Sequence, residues 1–330
     1  MARTDDDDPT IRMVRPAAGL KPRRLAALLA LAALLAAGAA GWTALRLSES
    51  GRSAMAPAMK VAAEPAIPLA DEAAILAAPA PDLQVFRFAG APSVLVLSFP
   101  SLRQQGEMLN RLAAFVEKAG LPRDRALSDA ELDAAIRQAG ETPESYYYGH
   151  DYGIADIVRF FAAADRDGIM LNGEEARLRA LLMNAGTPAA GALISIPPED
   201  TSQEIDASAR AAILRHELSH GVFFTDPIYA AYARMFWRTK LNDTQRAGFR
   251  TFLASEGYDT ANEDLMLNEA QAYLIHTSYP RYFVPDRVGL TAAQAALLRE
   301  TFVRGMPDGW LKAATRIAGP VHSPVSGRND

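Results

Sequence analysis

The sequence predicts a helix-rich α+β domain with a small sheet near its start, preceded by one transmembrane helix. Three observations predict it. Leu25 to Leu45 carries no charge and is almost wholly Leu, Ala and Gly. Two short apolar runs follow residue 83, separated by a turn sequence. From Ser101 onward most of the chain repeats its apolar residues at helical spacing between capping signals.

The apolar run matches the roughly 20 helical residues needed to cross a bilayer core. Arg12, Arg15, Lys21, Arg23 and Arg24 precede it, whereas the charges after it nearly balance. The positive-inside rule then places residues 1–24 in the cytoplasm and the domain outside, in the periplasm, with Trp42 as an interfacial anchor. The alternative is a cleaved signal peptide and secretion, since small residues at 37–44 offer a processing site. Residues 46–82, rich in Ala with Pro57, Pro65, Pro68, Pro79 and Pro81, read as a linker. The folded domain is 83–330, with periodic sequence to about 318.

Leu83 to Phe88 and Ser93 to Phe99 read as strands joined by Ala89-Gly90-Ala91-Pro92. A helix starts after Ser101, and Ser128 with Glu131 forms a capping box for the next. Helices over 153–164 and 174–184 flank a turn at Asp167-Gly168. Gly191 to Pro197 reads as an edge strand ended by prolines. Helices then cover 208–224, 226–240, 243–256, 262–277, 291–304 and 307–317.

Lys and Arg number 34 against 39 Asp and Glu, for a net charge of -5, which argues against nucleic acid as a partner. With no cysteine, any metal site must use His and carboxylate ligands. Serine-hydrolase and phosphate-loop signatures are absent. The chain has 5 His, and His216 and His220 bracket Glu217 as H-E-x-x-H within the helix beginning near Ser208. Positions i and i+4 share a helix face, so both imidazoles can reach one Zn²⁺. Glu217 falls beside the metal, where it can take a proton from water. The motif has only three fixed residues and occurs by chance; its position on a predicted helix after a predicted strand gives it weight here.

A catalytic zinc site needs a third protein ligand, and Asn268-Glu269 lies on a helix 49 residues past His220. Here the chain resembles the gluzincin branch of the zincin metallopeptidases, over roughly 190–280. The resemblance implies a zincin-like catalytic domain that hydrolyses a peptide or protein substrate. It makes His216, His220 and Glu269 the zinc ligands and Glu217 the general base. Glu263 and Asp264 are rival third ligands, and His276 shares the face of Glu269. Tyr273 stands where many gluzincins place an Asp that supports a ligand His. The strand 191–197 would offer its edge to substrate, as such strands do in zincins. Tyr273, His276, Tyr279 and Tyr282 are the candidates for stabilising the oxyanion. A non-catalytic zinc-stabilised binding or scaffold domain is the alternative, and it would give Glu217 no task. Tyr146, Tyr147, Tyr148, His150 and Tyr152 form an aromatic patch, either core or cleft wall. Asp165-Arg166-Asp167-Gly168 with Glu174 is similar to a calcium loop, but the first ligand position would be Ala163 instead of an acid, so it reads as a turn.

Overall fold

The computed structural model describes residues 66–78 and 81–317. The expected membrane segment at 25–45 and its cytoplasmic tail lie outside these residues. Among the described residues no helix is long and apolar enough to cross a membrane.

The described chain is helix-rich α+β around one mixed sheet. It begins with β1 (Leu69–Ala70) and α1 (Glu72–Ala77), followed by the hairpin β2 (Gln84–Phe88) and β3 (Ala91–Ser98). Then come α2 (Leu102–Val116), α3 (Asp129–Gln138), β4 (His150–Gly153), α4 (Ile154–Asp167), α5 (Gly173–Ala185) and β5 (Ala192–Ile196). The remainder is helical: α6 (Ala207–Thr225), α7 (Pro227–Thr239), α8 (Asp243–Ser255), α9 (Glu263–Gln271), α10 (Ala292–Gly305) and α11 (Trp310–Ile317). The predicted caps are present. Ser101 accepts from the amide of Gln104, and Ser128 and Glu131 cap α3 reciprocally.

Segment 69–77 is therefore part of the fold rather than linker. β1 pairs in parallel with β2. Ile75 is fully buried, worth about 1.5–3 kcal/mol for a side chain of its size. Glu72 on α1 pairs with Arg215 on α6. Surrounding Ala and Pro hide one apolar anchor of this kind from any composition-based reading.

The strand order is β1-β2-β3-β5-β4. β5 is parallel to β3 and antiparallel to β4, so it is an inner strand and not the expected edge. All five of its residues are buried because helices cover both sheet faces. Val94, Val96, Ile194 and Ile196 pack with Leu214 and Leu218 of α6 on one face. Leu97 and Leu193 pack with Leu109, Leu112 and Phe160 on the other. Pro197 and Pro198 follow the strand and end it; they do not guard an edge. The true edge is β4. Its register puts Asp151 opposite Ile194, on the α6 side, and His150 opposite Ser195 on the other.

Candidate metal centre

The spacing on α6 does what the motif requires. The Nε2 atoms of His216 and His220 face each other at 3.0 Å. From α9, Glu269 brings Oε2 to 3.7 Å from each of them. Neither oxygen of Glu269 has a hydrogen-bond partner, although the side chain is only 1% exposed. A buried carboxylate without a partner is costly. A cation among these three ligand atoms, which lie within 4.8 Å of one another, removes that cost. Two imidazole nitrogens and one carboxylate oxygen are also the donor set of a catalytic zinc site. The residues present fit the metal.

The neighbours orient the ligands. His216 Nδ1 lies 2.8 Å from the Thr277 hydroxyl, which itself donates to the carbonyl of Ala272 at 3.0 Å. The hydroxyl oxygen therefore accepts from Nδ1–H, leaving Nε2 unprotonated beside His220 and Glu269, free to bind a cation. Thr277 reaches this place because α9 ends in a π turn over Ala272–His276. The wider turn holds an extra residue, and each residue rotates the helix face by about 100°. Thr277 thus replaces His276 on the face toward α6. His276 instead sits 3.1 Å from the Tyr229 hydroxyl, outside the converging group. Replacing Thr277 by Val should weaken metal affinity by about 10–100-fold while leaving the fold intact. A competitive chelator titration checks this, and unchanged affinity would remove Thr277 from the site.

The rival carboxylates are engaged elsewhere. Glu263 accepts from Trp237 Nε1 at 2.6 Å and pairs with Arg250. Asp264 pairs with Arg234 at 3.1 Å. Tyr273 packs edge-on against His216, ring centroids 4.7 Å apart, but the Nδ1 partner expected of it is Thr277. His220 Nδ1 faces Asp151 of β4 at 3.7 Å. The calcium-loop acids are tied up as well: Asp165 with Arg179, and Asp167 with Arg166.

Burial sets the charges. It holds His216 well below its ordinary range and His220 at about 4, so both are neutral and free to ligate at neutral pH. Burial, helped by neighbouring carboxylates, raises Glu217, Glu269 and Asp151. Burial also lifts Glu117, at the end of α2, to about 7. Four carboxyl groups around two neutral imidazoles make a site short of positive charge.

A cavity of about 390 Å³ opens onto His216 and Glu217. Tyr146, Tyr147 and Tyr148 line it, together with Tyr258, Tyr273 and Tyr282. Three members of the aromatic run thus form a cleft wall; His150 is buried with Nδ1 2.9 Å from the Ser195 hydroxyl, and Tyr152 is core and donates to Glu117 at 3.4 Å. Tyr279 and His276 are not part of this lining. Gly149 leads into β4 directly against Glu217: a Cβ at position 149 would lie 2.0 Å from Glu217 Oε1. Gly149→Ala should therefore push Glu217 aside and lower turnover about 10²-fold, the cost of a displacement near 1 Å. Metal content should stay at the wild-type level. Unchanged turnover in this variant would show that Glu217 does not need its observed position.

Gly149, Asp151, Glu117 and Thr277 escape a sequence reading. β4 is four residues long and polar at two of them, so it shows no strand pattern. A π turn has no composition signature. The string Y-Y-Y-G-H-D-Y was the only visible signal near the edge strand. No family model, curated protein or solved structure matches the chain.

Proposed function

We propose that this chain is a zinc-dependent metallopeptidase of gluzincin type, hydrolysing peptide bonds in the cleft beside Glu217. The observation that carries the reading is the convergence of His216, His220 and Glu269, with Glu217 facing the cavity alongside. His216, His220 and Glu269 would hold the metal. Bound there, zinc supplies Lewis acidity to a water nucleophile and to the scissile carbonyl.

The chain's own groups do the rest. Glu217 takes the proton of the attacking water and passes it to the leaving amine. Its Oε2 has no hydrogen-bond partner, so it is free for this exchange. Asp151 and Glu117 add to its proton affinity, which suits a group that must hold a proton briefly. Of the tyrosines considered for the oxyanion, Tyr273 and Tyr282 line the cavity, which supports them as the donors. The apolar run at 25–45 carries a companion proposal: the domain is tethered to the outer side of the cytoplasmic membrane.

The test is metal content and cleavage together. The purified full chain should bind one zinc and cut a mixed peptide library, read by mass spectrometry. A chain that binds zinc stoichiometrically yet cuts nothing would favour the non-catalytic scaffold reading.

A further inference from the structure

The wall of the cleft holds a buried cation that the hydrolytic chemistry does not use. Lys118 lies at the end of α2, 9% exposed, and lines the same cavity as His216 and Glu217. Its Nζ sits 4.4 Å from the ring centroid of Tyr146 and 4.2 Å from that of Tyr147. Backbone pairing with Tyr258 fixes its base, and Gly257 makes room for its tip. A Cβ at Gly257 would lie 3.1 Å from Nζ, and the backbone there has φ +87°, which favours glycine.

The other basic groups of the lining are matched. Arg281 pairs with Glu204 and Arg287 with Glu256, the latter at 2.6 Å. Glu141 accepts from Ser145 at 2.5 Å. Lys118 alone among the basic lining residues makes no ion pair with a described carboxylate. Its neighbour Glu117 accepts from the Tyr152 hydroxyl at 3.4 Å. Burial disfavours the charge, and the negative charges of Glu117 first, then Glu141 and Glu256, partly offset that without forming an ion pair. The two tyrosine faces steady an ammonium, and among the described residues none accepts a hydrogen bond from it.

We propose that Lys118 receives a carboxylate of the peptide substrate, so that the cleft selects peptides presenting a negative charge a short distance from the cut bond. The proposal rests on the peptidase reading and narrows its substrate class. A cavity of about 390 Å³ is at the small end of ligand sites and has room for a few residues of a peptide. A peptide's C-terminal carboxylate and an Asp or Glu side chain share the required chemistry.

The experiment measures binding rather than turnover. Calorimetry compares three acetylated tripeptides on the metal-free full chain: a free acid, its C-terminal amide, and an amide ending in Glu. The free acid, the Glu amide or both should bind about tenfold or more tighter than the plain amide, as a hydrogen bond to a charged group implies. The tighter of the two names the source of the carboxylate. Lys118→Met should abolish the preference and leave plain-amide affinity unchanged, and Lys118→Arg should keep it. Equal affinities for all three peptides in the wild type would overturn the proposal. So would a preference surviving in Lys118→Met, or loss of plain-amide binding in that variant. Failure of the peptidase reading looks different: no zinc and no cleavage, with the carboxylate preference intact.

Discussion

Glu217→Gln should lower peptide cleavage by about 10²–10⁴-fold, the span a positioned general base contributes, and should leave zinc content unchanged. Glutamine keeps the shape of the side chain, so its contact with Gly149 and the packing of α6 persist. It cannot take a proton from water. It also removes one of four crowded acids, so the fold should not suffer. The measurements are turnover and zinc per chain on the same preparation. Cleavage near the wild-type rate would exclude Glu217 as base. Loss of zinc along with activity would mean that the residue helps hold the metal instead.

Glu269→Gln gives the second large effect, and its sign depends on the metal. In the wild type, zinc at 1,000 times its dissociation constant should stabilise the fold by about 4 kcal/mol. Glutamine is a far weaker ligand, so this increment should vanish. Without metal the order reverses. Burial and the negative potential of Glu117 and Glu217 penalise the Glu269 carboxylate, and neither of its oxygens has a partner. Glutamine needs neither a buried charge nor a proton taken up on folding, so it removes that cost. The metal-free variant should therefore melt at or above the metal-free wild type. Thermal melts with zinc and with chelator decide this; a zinc-dependent rise in Glu269→Gln equal to that of the wild type would dismiss Glu269 as a ligand.

Most of the helices were legible from sequence because each leaves a local record. Ser101 and Ser128 begin helices through capping groups that depend on nearby residues only. The pair His216 and His220 was legible for the same reason, since i and i+4 on a helix must meet. Strand position was not. Gly191 to Pro197 reads the same at an edge or at the centre, because neighbours decide the difference. β1 and β4, two and four residues long, are too short for a pattern to emerge. They exist because β2 and β5 present hydrogen-bonding edges to them.

The sequence by itself determined the helix that carries the motif, the absence of thiolate ligands and the His and Glu types at hand. It left three carboxylates, Glu263, Asp264 and Glu269, as possible partners for the two imidazoles. Tertiary structure decided among them by turning α9 so that Glu269 faces α6 while the other two meet arginines. It also chose Thr277 over Tyr273 as the partner of His216, through a π turn that adds a residue before it. And it set Asp151 and Gly149 beside α6 by making β4 the edge of the sheet. The division follows from range: caps and helical spacing act within about four residues. Which faces meet across 50 or more residues is settled only when the core closes and buried charges find partners.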